Sequence, residues 1–168
     1  MTVRRAAPPR TRMRSGSGAP PAVPRRTIDT LRKSKRVGLD ASEVGRLFDA
    51  VEASEGVRYD VSLVVVGDRE MRRINREALG HDYPTDVVTF DLGAPGDEVV
   101  AGEIVVSDEY AAREAREAGH AAEIELLFYV CHGLLHLAGH DDDTPTKRKR
   151  MLARQTKILA GLGRTVRG

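Results

Sequence analysis

Tryptophan is absent from this chain, cysteine occurs once, and only four tyrosines and three phenylalanines are spread over 168 residues. A single thiol, Cys131, cannot close an internal disulfide, so a disulfide-stapled secreted scaffold is excluded and a reducing, cytoplasmic compartment is expected. No apolar run approaches the ~20 residues of a membrane-spanning helix, so no membrane partner is expected. Arg4-Arg5 is the pair that opens a twin-arginine export signal, but "AAPPRTRMRSGSG" follows where such a signal has its apolar segment. The expectation is a chain that is not exported. Its length suits one domain with a real core, and no internal repeat is present.

The formal net charge of +2 hides a segregation. Residues 1–36 carry eleven Lys and Arg against one acid, Asp29, while the remainder carries sixteen against twenty-four. A basic arm of +10 therefore precedes an acidic body of −8. Residues 1–26, rich in Pro, Gly, Ser and Arg, hold too little apolar material for a core and are predicted as a disordered arm. Residues 27–165 are predicted as the single domain. An arginine-rich arm suits phosphate neutralisation on a nucleic acid, and it suits a solubilising extension equally well.

The body alternates helical and strand patterns. "LDASEVGRLFDAVEASEG" places Val44, Leu47, Phe48 and Val51 at helical spacing and closes on Gly56. "RYDVSLVVVGD" predicts a strand over 59–66, apolar enough for burial on both faces. "REMRRINREALG" predicts a helix, "DVVTFDL" and "EIVVS" two short strands, and "SDEYAAREAREAG" a helix capped by Ser107 or Asp108. "AAEIELLFYVCHGLLHLAG" is the most apolar helix, with Ile124, Leu127, Val130 or Cys131, Leu134 and Leu137 as its buried stripe. A last helix carries Met151, Leu152, Ile158 and Leu159. These patterns predict an α+β fold: a small mixed sheet packed with several helices, one of them buried and central.

That central helix carries the chemistry, in "HGLLHLAGHDDD". Residues four apart on a helix share a face, so His132 and His136 converge, the usual way for a helix to offer two imidazoles to one Zn²⁺. Gly139 suits the turn that ends the helix. The spacing His-x3-His-x2-Gly-x2-Asp repeats the metzincin layout and favours Asp142 as third ligand, with His140, Asp141 and Asp143 as alternatives. Two nitrogens and a carboxylate leave a position open, the design of a catalytic zinc site. In the zinc peptidases, however, the residue after the first histidine is a glutamate base. Here it is Gly133, which takes no proton. Cys131 is assigned to the buried stripe, and His81 and His120, both in loops, are expected to be exposed.

These residues give the chain a resemblance to the YbeY family, zinc-dependent endoribonucleases of ribosomal RNA maturation. "HGLLHLAGHDD" is similar to the signature His-Gly-x-Leu-His-Leu-x-Gly-x-Asp-His, with Asp142 for the final histidine and His140 for the usual aromatic. "INREALGHDYPTDVVTF" resembles the family's Asn-to-Phe block through Pro84, Thr85, Asp86 and Val87, and "GEIVVS" its Gly-Asp-Ile-Val-Ile-Ser strand. The resemblance implies a single-strand-specific endoribonuclease in the 3′-end maturation of 16S ribosomal RNA and in ribosome quality control. It also implies one zinc ion per chain and ribosomal RNA precursors and the small ribosomal subunit as partners, with no DNA.

For individual residues, it implies His132, His136 and Asp142 on the metal, with His132 also catalytic. Glu125 stands where the family often has glutamate; it shares a helical face with Tyr129 and the histidines, so both are candidates to orient an imidazole. The family's phosphate-contacting arginine falls on Leu79 here. Arg76, one turn earlier, is the candidate to replace it in catalysis, with Arg72 and Arg73 beside it as RNA contacts. Lys147 to Arg150 either add to these or form a solvated face. Two other functions fit the ligand spacing: a metzincin-like metallopeptidase, and a non-catalytic zinc-containing factor associated with the ribosome.

Overall fold

Apolar faces at helical spacing need a surface to cover, and three strands supply most of it. The computed structural model describes residues 2–4, 34, 36–94 and 97–165. In chain order these form β1 (Thr2–Arg4), α1 (Ala41–Glu55), β2 (Arg58–Val66), α2 (Asp68–Leu79), β3 (Val87–Asp91), β4 (Val99–Ser107), α3 (Asp108–Ala118), α4 (Ala122–Leu137) and α5 (Pro145–Gly161). This is the expected α+β class. Helix starts follow the side chains that can cap them: Asp40 accepts from the Glu43 N–H, Ser107 from that of Tyr110, and Thr144 from that of Lys147 ahead of α5.

Strand β4 is central in a mixed sheet of order β1-β3-β4-β2, parallel to β2 and antiparallel to β3. The backbone of β1 pairs in parallel with the outer edge of β3. Three residues of the arm predicted as disordered thus lie in the sheet, where they satisfy an edge that would otherwise be open. Residues 1 and 5–26 lie outside the described residues, so the arm and its boundary with the 27–165 domain stand as expectations.

The pleat divides the apolar residues between two cores. Val61, Leu63 and Val65 of β2, Val87 of β3, and Ile104 and Val106 of β4 enter the larger core with α1, α4 and α5. Val66, Val88 and Val105 turn to the other face and meet Met71 of α2. Burial on both faces accounts for the continuous apolar run of β2. It also separates α2 from α4, which lie on opposite sides of the sheet.

Helix α4 is wrapped rather than striped. Leu127, Val130, Leu134 and Leu137 are buried as expected, but so are Leu126 and Leu135, while Ile124 is only half-buried. The helix rests on the sheet through two glycines. A Cβ at Gly133 would meet Ile104 Cγ2 and Thr89 Oγ1 at 3.0 Å, and one at Gly102 of β4 would meet Leu137 Cδ1 and the Phe90 carbonyl oxygen at 2.8 Å. The Tyr59 hydroxyl donates to the Leu134 carbonyl at 2.9 Å and ties α4 to β2. On α5 the inward residues are Met151, Gln155, Ile158 and Leu159. Leu152, about 100° around the helix from Met151, is exposed. Among the described residues no helix is long and apolar enough to cross a membrane.

Candidate metal centre

The last turns of α4 carry His132 and His136 on one face, and the chain reverses at Gly139, whose φ of 93° is left-handed backbone. The His140 N–H returns to the Leu135 carbonyl at 3.0 Å, and the following residues come back over the histidines. As a result His132, His136 and Asp142 offer ligand atoms that all lie within 4.8 Å of one another. The two Nε2 atoms are 3.0 Å apart, and Asp142 carboxylate oxygens lie 3.6 Å from His132 Nε2 and 3.7 Å from His136 Nε2. Tetrahedral bonds of 2.0–2.1 Å to zinc set neighbouring donors about 3.3 Å apart. The donor set fits such an ion in spacing and chemistry.

The rings are held from behind. His132 Nδ1 faces Gln155 Oε1 at 3.4 Å, and Gln155 is oriented by donating its Nε2 hydrogen to the Phe128 carbonyl at 3.2 Å. His136 Nδ1 donates to the His140 carbonyl at 3.0 Å. With both Nδ1 atoms as donors, both Nε2 lone pairs face the cluster. Side-chain exposure falls from 31% at Asp142 through 18% at His132 to 4% at His136, so the site opens on the Asp142 side. Burial holds His132 below the ordinary imidazole range. It takes His136, with His132 adding to the effect, down to about 4. Both rings are therefore neutral near pH 7, the state in which imidazole binds a metal.

The ligand loop is fixed by ion pairs that the sequence did not reveal. Lys147 reaches Asp141 at 3.1 Å and Asp143 at 2.8 Å, so the acids on either side of Asp142 are engaged elsewhere. His140 is turned away from the cluster: its Nε2 lies 2.7 Å from Glu55 Oε2, and Arg154 donates to the other oxygen of Glu55 at 2.6 Å. Of the four acceptable third ligands, Asp142 alone joins the histidines. Gln155 and Glu55 were missed, and Lys147 was read only as part of the Lys147 to Arg150 run. Gln155 carried a local signal, a polar residue in phase with the apolar stripe of α5, and Lys147 carried another, its place four residues after Asp143.

Gly133 points into the sheet, about 100° around the helix from His132. The position that supplies the base in zinc peptidases here lacks both the side chain and the room for one. Glu125 and Tyr129 are not among the partners of His132 and His136. Glu125 Oε2 lies 2.5 Å from Nε2 of His120, whose side chain is 5% exposed, contrary to its expected exposure. A buried carboxylate demands a partner, and the residue five earlier provides it. Burial and then Glu125 keep the Tyr129 phenol far above its ordinary range. Cys131 is core as expected, its thiol pushed by burial up to about 12.

The arginines belong to α2 and so to the other face of the sheet. Arg72 makes two hydrogen bonds to Asp82, at 2.9 and 2.7 Å, and Arg76 approaches the same carboxylate at 3.5 Å. Arg73 is held between Glu70 and Glu77, each at 2.7 Å. What crosses toward the metal face is the loop after α2, ending at Asp86. Its carboxylate accepts from Thr85 Oγ1 and the Val87 N–H at 2.8 Å and lies within electrostatic reach of His132.

Known proteins resemble this chain in sequence and in fold. The profile of the family described as Endoribonuclease YbeY matches residues 30–163. A protein named Endoribonuclease YbeY from Moorella thermoacetica is 40% identical over 134 residues, covering 73% of this chain and 86% of that protein. One of the same name from Bacillus licheniformis is 37% identical over 149 residues, covering 81% and 94%. A solution structure from Thermotoga maritima, TM1509, superposes with a TM-score of 0.53 at 28% identity, covering 76% of this chain and 88% of that one. The chain belongs to the Endoribonuclease YbeY family.

Proposed function

We propose that this chain is a metal-dependent endoribonuclease that cuts single-stranded RNA within ribosomal RNA precursors, using one zinc ion held by His132, His136 and Asp142. The observation that carries the reading is the convergence of two imidazole Nε2 atoms and one carboxylate beside a Gly133 packed against the sheet. That arrangement supports a metal site with an open side and argues against a peptidase, which needs its base where Gly133 is. When bound, the metal supplies Lewis acidity toward the phosphodiester. Gln155 and the His140 carbonyl hold the two rings in the ligating tautomer, and burial of His136 keeps water from its inner side. A carboxylate third ligand lowers the positive charge of the site compared with a third histidine.

Arg72 and Arg76 reach phosphates away from the cut bond. Their shared partner Asp82 is half-exposed, and such surface pairs are worth about 0–1 kcal/mol, so a phosphate displaces it readily. Arg73, with an acid on each side, contributes less. Family membership is the support for ribosomal RNA as substrate, and we extend the same reading to the small subunit as presenting partner and to a cytoplasmic setting.

The test is cleavage of an end-labelled single-stranded RNA by zinc-loaded protein and by His136→Ala prepared identically, with metal content measured on both. Cutting by the wild type alone, with metal lost from the variant, is the expected result. Equal lanes would overturn the nuclease and leave a non-catalytic zinc-containing factor associated with the ribosome.

A further inference from the structure

The loop between α2 and β3 holds two stacked rings that the metal chemistry does not use. His81 and Tyr83 lie with centroids 5.3 Å apart and planes 12° from parallel. Stacked on one partner, Tyr83 is still 55% exposed, in a chain with only seven phenylalanine and tyrosine side chains. One buried residue pins the pair. The Asn75 carbonyl accepts from the His81 N–H at 3.4 Å, and its side-chain amide donates to the Tyr83 carbonyl at 2.9 Å. Both rings are thus fixed at the backbone before any ligand arrives, which reduces the ordering cost of binding.

The surroundings select the ligand. Asp82, between the two rings in sequence, is the carboxylate that gathers Arg72 and Arg76, so two guanidinium groups flank the stack. Four residues beyond Tyr83 the chain enters β3, whose Val87 joins the larger core with residues of α4, so the loop leads from the rings toward the helix that carries the candidate metal ligands. An exposed aromatic stack with phosphate-binding groups beside it is how proteins hold unpaired bases. A duplex hides its base faces, so the same surface discriminates against double strands.

From this geometry we propose that the Tyr83–His81 stack is a base-stacking platform that holds an unpaired base of single-stranded RNA away from the cut bond, on the stretch of strand whose phosphates Arg72 and Arg76 reach. The platform rests on the reading of the chain as an RNA-cutting enzyme and specifies how that enzyme recognises single strands. It also supplies affinity that the Leu79 position, without its arginine, does not.

The experiment measures fluorescence anisotropy of a labelled single-stranded 2′-O-methyl RNA oligomer, and of the matching oligomer with abasic sites, on the zinc-loaded full chain. Tyr83→Ala should weaken binding of the base-bearing oligomer about tenfold and leave the abasic one unchanged, while Tyr83→Phe, which keeps the ring, binds like the wild type. Equal binding of both oligomers by Tyr83→Ala and wild type, equal loss on both, or no binding by the wild type overturns the platform. Parallel cleavage of ordinary RNA by the wild type separates the two claims. Cleavage with an indifferent Tyr83→Ala removes the platform alone. Absent cleavage with a base-dependent loss removes the nuclease and leaves the platform.

Discussion

The Nε2 atoms of His132 and His136 face each other across 3.0 Å, and each ring has its Nδ1 hydrogen engaged on a separate acceptor. Two lone pairs at that distance repel unless a cation or proton lies between them. On the proposed reading the folded chain binds a divalent metal there that the unfolded chain does not, so metal should stabilise it. At a free zinc concentration of a hundred times Kd the gain is about 2.7 kcal/mol. Calorimetric melting should show Tm rising with zinc and returning on chelation, while His136→Ala melts at one temperature throughout.

Acid should destabilise the metal-free protein through the same rings. His136 lies at about 4 when folded and near the ordinary ~6.5 when unfolded. Between these values the unfolded state binds the extra proton, so stability is full above about pH 6.5 and is lost as pH falls toward 4. Urea titrations of chelated protein should give a loss on the order of 3 kcal/mol across that window. In His136→Ala this part of the loss should be missing; an unchanged slope would mean that burial at His136 does not set the titration.

Gly133 should not tolerate a side chain. A new Cβ there meets Ile104 and Thr89 at 3.0 Å, and overpacking costs about 1–3 kcal/mol. Gly133→Glu adds a carboxylate with no partner against the sheet, so it should lower Tm further and give no digestion of denatured casein. Peptidase activity in that variant would show that the helix can rotate its base into the site.

What the sequence disclosed depended on how far apart the partners were. His132, His136, Gly139 and Asp142 were legible because a helix and its terminal turn set their relation locally. Gln155 and Glu55 were not, because their partners His132 and His140 lie 23 and 85 residues away. His120 was taken as exposed because loops usually are; Glu125, buried one turn into α4, decided otherwise. Arg72 and Arg73 read as free cations, yet their nearest acids, Asp82 and Glu70 with Glu77, come from the same helix and the loop after it. The pairing of Arg73 follows from helical spacing and that of Arg72 from the return of the loop at Asp82, while their separation from the metal face follows from the strand pleat, which periodicity alone does not orient.

Glu125→Ala should therefore behave as a core defect rather than a metal defect. It leaves His120, whose Nδ1 already has no partner among the described residues, buried without an acceptor. A group stranded in this way costs about 1–3 kcal/mol. Denaturant midpoints should fall accordingly while zinc stoichiometry, measured by atomic absorption, stays that of the wild type. A loss of zinc at unchanged stability would restore Glu125 to the imidazoles.

Gln155 should show the reverse pattern. Its Oε1 holds the His132 ring and its amide is locked on the Phe128 carbonyl, so the ring is fixed through α5 and not through α4 itself. Gln155→Leu keeps much of the volume and removes the acceptor. Losing such an orienting partner typically lowers metal affinity about 10- to 100-fold, which chelator competition measures directly. Gln155→Glu keeps an oxygen facing Nδ1 and should retain more of the affinity than the leucine variant, although its carboxylate cannot donate to Phe128. If Gln155→Leu held zinc as tightly as the wild type, the tautomer of His132 would be set by the metal and Asp142 alone.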